Sequence, residues 1–498
     1  MRTRLLIFGQ MLLATIGVGT SASAQETITF EQYDQLCRRL ATVEAELAAT
    51  QAMISVERLP ATRPVSMPSQ VAAAAPVAGE TSALESLTAT VKKMQEDAKA
   101  TKYPNVTVNG VFQADAGWFT QDATSIASVG DLQDGADFRR ARLSAKGGIA
   151  PNMNYFFQMD FGFFGRPTFT DVWVEATHLP YLGTVRVGQW KQPFSLEVVS
   201  SFRYTTFLER SLLFQPFTPF RHLGVGFYNH TDALNATWAA SVFRSGQDQF
   251  GGDIGDNGGV AMAARATYLP WYDEPSGGRY YLHVGGGFFL TDPDNDLSRF
   301  ATIPEFFVGE VAPGAVGTSQ VAVPGAANGT RFFVDTGNIP TNISNRFGVE
   351  CLWVHGAFSW QTEAMCASVD RTGAGASLFF PGAYSQVGYF LTGEHRPYDR
   401  TIGAIDRVKP FEDFFRVRTN RGICTGIGAW EVAARWSWID LNDADVQGGR
   451  LTDLTAGVNW YMNAYAKLQF NYIHAFLDNP TFGDSDTGIY AARVQMDF

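Results

Sequence analysis

From about residue 105 to the end of the chain, apolar and polar side chains alternate with a period of two. In the first such segment Val106, Val108, Gly110, Phe112, Ala114, Ala116 and Trp118 fall on one side, and Asn109, Gln113 and Asp115 on the other. The division recurs at Trp430, Val432, Ala434, Trp436 and Trp438 against Glu431, Arg435 and Ser437, and at Leu468, Phe470 and Tyr472 against Lys467, Gln469 and Asn471. It closes with Val494, Met496 and Phe498 against Arg493, Gln495 and Asp497. A soluble sandwich would hide the apolar rows in a core. Here the segments reach about 9 residues or more, with tryptophan and tyrosine near their ends, which is the length and girdle of strands that cross a membrane at a tilt. Roughly 16 such segments occur, and an even number returns both ends of the chain to the same side. The pattern predicts an all-β fold, a 16-stranded antiparallel transmembrane β-barrel over 103–498 with both termini periplasmic.

Upstream the period is different. Arg2 and Arg4 precede the apolar run Leu5 to Val18 and the small-residue stretch Ala22-Ser23-Ala24, the layout of a cleavable signal peptide over 1–24. Phe30, Tyr33, Cys37, Leu40, Val43 and Leu47 step by three and four, predicting a helical, coiled-coil segment over 25–58. A Pro/Ala-rich linker follows over 59–82, then a second short helix over 83–102. Helices this short are marginal alone in water, so self-association is expected of them.

The connections between strands alternate in length. Short turns at Ala150-Pro151-Asn152, Thr231-Asp232-Ala233 and Met462-Asn463-Ala464 interleave with longer stretches near 120–136, 191–222, 245–258, 292–346 and 368–383, as short periplasmic and long outer loops do. The stretch 396–426 breaks the alternation by being long on the short side. Composition agrees with many strands joined by turns: 49 Gly, 39 Phe, 17 Tyr and 11 Trp accompany a charged fraction of only 17%. No uninterrupted apolar run of about 20 residues follows the signal, which excludes a helical inner-membrane protein. Of the four cysteines, Cys351 and Cys366 could pair in an oxidising compartment; no spacing suits zinc.

The net charge of −11 says little about a pore, because permeation responds to the local field. Three basic clusters matter more. In "DFRRARLSAKGGI" the alternation puts Arg140, Arg142 and Lys146 on one face, and Arg139 points outward unless a bulge or strand mouth intervenes. An inward face is the cheap place for them, since a lipid-facing arginine costs about 2–4 kcal/mol at mid-membrane. The aromatic-rich connection 188–224 carries Lys191, Arg203, Arg210 and Arg221, with Glu197 and Glu209 as partners for some of these cations. The third cluster, 396–422, has seven Lys/Arg against four Asp/Glu.

At these residues the chain resembles the phosphate-selective porin O and P family. "FRRARL", "VGQWKQPFSLE", "TTFLERSL", "YFLTGEHRPY", "GAWEVAARWSWIDLND", "GGRLTDLTAGVNWYMN" and "NYIHAFLD" look like its motifs in its order. The resemblance implies a trimer of 16-stranded barrels, loops folded inward to make an anion-selective eyelet, and an inward-folded periplasmic connection. By position the family's paired eyelet arginines fall on Arg139 and Arg140, and Lys191 on a frequently basic loop position. The final Phe498 resembles the terminal signal read by the barrel-assembly machinery.

The expected substrate-contacting set is therefore Arg139, Arg140, Arg142, Lys146, Lys191, Arg203 and Arg210, lining a passive channel for small anions such as phosphate or polyphosphate. A general porin of low selectivity, or an anchor for a periplasmic coiled coil, are the other readings. Asp171, Trp173 and Glu175 share a face and are read as lumen lining rather than acid/base machinery. Asp292, Asp294 and Asp296 lack the glycine and distant glutamate of a calcium loop, and the histidines have no metal or triad spacing. No enzyme activity, cofactor or nucleic-acid partner is expected; the partners are outer-membrane lipid, small anions and two further copies of the chain.

Overall fold

The computed structural model describes residues 102–162, 167–246, 259–309, 330–419 and 422–498. The expectations for the signal, the helical segments and the linker, and for Cys37, lie outside the described residues. Sixteen long strands form one antiparallel sheet: β1 Thr107–Gln121, β2 Gly135–Ala150, β3 Met153–Asp160, β4 Thr168–Leu179, β5 Gly183–Lys191, β6 Arg221–His230, β7 Ala236–Arg244, β8 Val260–Tyr272, β9 Tyr280–Thr291, β10 Ile339–His355, β11 Phe358–Arg371, β12 Leu378–Phe390, β13 Ala429–Asp443, β14 Val446–Asn463, β15 Ala466–Asn479 and β16 Gly483–Asp497. Each pairs with its neighbours in sequence, and the two-residue piece Leu297–Ser298 merely extends the sheet beside β10.

The ring closes between the first and last strands, from Val111 opposite Asp497 to Gln121 opposite Thr487. Beyond that register the Gly110 and Phe498 backbones exchange two hydrogen bonds of 3.1 Å. A side chain at Gly110 would meet the Phe498 ring at 2.4 Å, so the glycine is what lets the terminal ring lie across the seam. Closure leaves no unpaired edge in lipid.

The alternation sorts the side chains as the sequence predicts. Trp118, Phe138, Leu143, Phe157, Val187 and Val225 stand exposed on the outside, where lipid replaces water, while Gln113, Asp115, Gln469, Asn471 and Arg493 are buried inside. Cys351 and Cys366 face Thr362 and Phe347 across the β10–β11 ladder, and both thiols are free. The connection expected near 368–383 is shorter, 372–377, because β11 and β12 extend further than their hydrophobic stretches suggested.

The core of the molecule sits inside the barrel. The connection 192–220 folds inward, with the short turns α1 Leu196–Val199 and α2 Phe214–Phe217, and buries Phe194, Leu196, Phe207, Leu212, Leu213 and Phe217 almost completely. Segment 297–309 joins it, with Phe300 and Phe306 fully buried. Glu305 ties the two together and to the wall. It accepts from Arg435 Nη2 at 2.5 Å, Thr455 Oγ1 at 3.0 Å and the Leu212 amide at 3.2 Å, and from the Ser437 hydroxyl. From the opposite, short-turn end, residues 396–408 also enter the barrel. Arg265 donates to the Ile402 and Gly403 carbonyls at 3.2 and 2.7 Å, Tyr281 donates to the Arg396 carbonyl at 3.1 Å, and Arg396 pairs with Glu431. The excess length of this connection is thus a plug.

Candidate functional site

The three inserted segments fill much of the lumen, reaching β2 where Arg139 and Arg140 meet Glu209 and β5 where Lys191 meets residues 198–200. Open space remains mainly against the inner faces of β2 to β8, as two adjoining cavities of about 760 and 340 Å³ that share Asp171, Glu175, Arg186, Lys191, Val199 and Ile402. The polar rows of β4 and β5 reach it because they point inward, and the inserted segments supply Phe202, Arg203, Tyr204 and Asp406 from the other side.

At the inserted loop, guanidinium groups converge on one carboxylate. Arg139 Nε and Nη2 donate to Glu209 at 2.9 and 3.1 Å, and Arg493 Nη2 donates to it at 2.6 Å. Arg140 Nη2 stands 3.6 Å away. Strand parity alone would have turned Arg139 into the lipid. It faces inward because the β1–β2 register slips there: Gln113 lies opposite Arg140 and Ala114 opposite Phe138, leaving Arg139 as an extra, bulged residue. The bulge puts two consecutive arginines on the lumen side and so resolves the conflict between position and parity. Burial pushes the Glu209 carboxyl up, but Arg139, Arg140 and Arg493 outweigh it and hold it well below the usual carboxylate range.

The remaining predicted residues divide by what holds them. Arg142 Nε donates to Asp160 at 2.6 Å, and the Arg140 and Arg142 guanidiniums both lie 4.6 Å from the Phe202 ring centroid. Lys191 Nζ donates to the carbonyls of Val198, Val199 and Ser200 at 2.6 to 2.8 Å, closing the C-terminal end of α1. Arg210 donates to the Glu197 and Ser200 carbonyls at 2.9 and 3.2 Å. Both cations therefore act first as struts of the inserted loop. Arg203 lines the larger cavity with Asp497 3.5 Å from its Nε. Lys146, exposed at the same cavity, has no hydrogen-bond or ion-pair partner among the described residues, so its ammonium is open to a solute. The structure thus brings Arg139, Arg140 and Arg142 together around Phe202 and Glu209, and sets Lys146 and Arg203 at the cavity.

Asp171 and Glu175 line both cavities and are paired, Asp171 with Arg221 at 2.7 Å and Glu175 with Arg186 at 2.6 Å. Their neighbour Trp173 stacks on Phe156 at 5.6 Å and under Arg186 at 3.9 Å. Sequence reasoning missed Arg186, Arg435 and Arg493 as site residues. Their parity places them inward, yet each stands alone in its segment rather than in a basic run. Arg493 pairs with Asp115 at 2.6 Å as well as with Glu209, so it joins the closing strands to the inserted loop.

The family model described as phosphate-selective porin O and P matches residues 106–498. A curated relative from Pseudomonas aeruginosa, named Porin O, is 27% identical over 399 residues, covering 74% of this chain and 83% of its own. An uncharacterised protein of Caulobacter vibrioides is 24% identical over 510 residues, covering 96% of this chain and 93% of its own. Among solved structures, a loop-deletion mutant of OmpT from Vibrio cholerae aligns with a TM-score of 0.46 at 12% identity, over 78% of this chain and 99% of that one. An anion-selective porin from Comamonas acidovorans aligns with a TM-score of 0.45 at 12% identity, over 79% and 99%.

Proposed function

The chain belongs to the phosphate-selective porin O and P family, and from that premise we propose that it is a passive, anion-preferring diffusion channel with phosphate or polyphosphate as its solute. Family and closed barrel make it an outer-membrane channel. The observation that supports the anion preference is the cluster at the inserted loop, where Arg139, Arg140 and Arg493 share Glu209 and Asp115, so that guanidiniums outnumber carboxylates. Arg203 and the open Lys146 extend that positive excess into the cavity. Oxyanions suit such a wall, because guanidinium presents paired N–H donors to paired oxygens. Both termini are placed on the periplasmic side in this reading, the chain is inserted by the barrel-assembly machinery, and three copies assemble.

The test is single-channel recording in planar bilayers under a KCl gradient, with phosphate then titrated in. A reversal potential on the chloride side together with block by phosphate supports the reading; a potential on the potassium side overturns it. A second reading, a general porin of low selectivity, draws on the fact that Arg142, Arg186 and Arg221 each face a carboxylate of their own. It gives a reversal potential near zero and no phosphate block. The anchor reading rests on residues 25–102 and gives no channel at all.

A further inference from the structure

Among the described residues, the buried arginines of this lumen are answered by the protein, with one exception. Arg140, Arg142, Arg265, Arg396, Arg435 and Arg493 each have a carboxylate within ion-pair distance, and Arg210 has two carbonyls. Arg346 has none among the described residues. It points inward from the outer half of β10, more than nine-tenths buried, and its Nε and Nη1 are buried without a hydrogen-bond partner. Its guanidinium carbon lies 4.6 Å from the Phe289 ring centroid on the wall and 5.0 Å from that of Phe300 on the inserted segment. Two ring faces offset part of the cost of burying the charge but leave its in-plane N–H edge unused.

Two further orphaned groups stand beside it. Ser344 precedes Arg346 by two residues on the same inward face, and Thr291 is directly opposite Ser344 on β9. Both hydroxyl oxygens are buried and unpartnered. Across the other ladder Arg346 faces Ala367, whose methyl side chain cannot hydrogen-bond to it. Native structures rarely leave three such groups unmet at one place.

We propose that Arg346, Ser344 and Thr291 form a site for a resident small monovalent anion, chloride in saline media. One guanidinium neutralises one negative charge, and the flanking phenyl rings and Ala367 offer nothing to balance a second, which disfavours doubly charged phosphate. The site shares no residue with the Glu209 cluster and does not depend on the pore's ion preference. Its place in the fold gives it a task. Phe300 also packs against Phe217 of the first inserted loop, centroids 6.2 Å apart, and against Phe380 at 5.1 Å, so a bound anion fixes the point where both inserted outer segments meet the wall.

The test uses the full folded protein in detergent. Crystals soaked in bromide are expected to show an anomalous peak within about 3.5 Å of the Arg346 side-chain nitrogens. In thermal unfolding at equal ionic strength, chloride in place of gluconate is expected to raise the wild-type midpoint by about 2 °C or more. Arg346→Met should lose that difference, and Ser344→Ala, which keeps the charge and is gentle on the fold, should raise the chloride concentration for half effect several-fold. Absence of bromide at Arg346 in crystals that bind it elsewhere overturns the proposal, as does a chloride response unchanged in Ser344→Ala and Arg346→Met alike.

Discussion

Replacing Glu209 by glutamine removes one negative charge from the centre of the guanidinium cluster and keeps the shape of the side chain. Three arginines point at that carboxylate, two of them at 2.6 and 2.9 Å, and among the described residues only Arg493 keeps a second carboxylate in Asp115. At about 8 Å from a permeating ion, with an effective dielectric of roughly 40 for a wet pore, one charge contributes about 1 kcal/mol, or roughly fivefold in local anion concentration. The same potential depletes potassium by a similar factor, so Glu209→Gln should raise the chloride-to-potassium permeability ratio by roughly 25-fold, and Arg140→Gln should lower it. The assay is the reversal potential in planar bilayers at about 0.1 M salt, where screening is moderate. Stability should move the other way: stranding buried guanidiniums costs about 3–5 kcal/mol, read as a lower unfolding midpoint in detergent. The sign with pH follows from the depressed pKa. Stability contributed by Glu209 is whole above the ordinary glutamate value near 4.3 and is lost only as pH falls through its own lower value. The difference between wild type and Glu209→Gln should thus persist unchanged from pH 7 to about pH 4.5. A permeability ratio unmoved in Glu209→Gln, or moved toward potassium, would refute the placement of this cluster on the ion path.

Lys191→Met should release the turn at α1 by freeing three carbonyls, lowering the unfolding midpoint by an amount corresponding to about 2–4 kcal/mol, and should increase open-channel noise in single-channel records. Lys146→Glu, at a cavity-wall position with no ion-pair partner among the described residues, should shift selectivity toward cations while leaving the unfolding midpoint within about 0.5 kcal/mol of wild type. Arg396→Met breaks the buried pair with Glu431 and should loosen the plug, seen as faster proteolysis within 396–408 and a larger conductance.

Strand identity and facing were legible because they depend on near neighbours only: a residue two places along shares its face whatever the rest of the chain does. That is why the inward rows Gln113–Asp115 and Arg493–Gln495–Asp497 emerge from the alternation unaided. Alternation breaks where one residue is added. At Arg139 the bulge reverses facing for a single position, and nothing in "FRRARL" distinguishes a bulged arginine from one aimed at lipid. Only the partner strand's register reveals it. Family position is compatible with the inward facing of Arg139 that the bulge produces, whereas periodicity alone is not.

What the loops do was not legible, since their partners are remote in sequence. Glu209 meets Arg139 across 70 positions and Arg493 across 284, and Arg435 meets Glu305 across 130. No local pattern carries such pairings. The composition of 188–224, rich in both aromatics and cations, did show that this connection must pack on something, and the structure names it: the polar inner wall. Insertion is favourable only because both surfaces are mixed. Phe194, Phe207 and Phe217 bury apolar area that water would otherwise surround. The loop's own ions meanwhile satisfy wall groups such as Arg435 and Arg493, which would cost heavily if left alone in a narrow pore.

This exchange bears on selectivity. A lumen lined by unpaired arginines would hold anions too tightly to pass them, because conduction needs a site that binds and also lets go. Lys191 and Arg210 are occupied by carbonyls, and Arg142, Arg186 and Arg221 by carboxylates, so a large part of the basic inventory described along 137–224 is held by the protein itself. In the proposed reading, the field that a permeating ion meets is the small positive surplus left over at Arg139, Arg140, Arg203 and Lys146. On that reading a chain whose formal charge is −11 presents a mildly positive path, and the magnitude of that surplus, rather than the number of arginines, is what decides between a selective and a general pore.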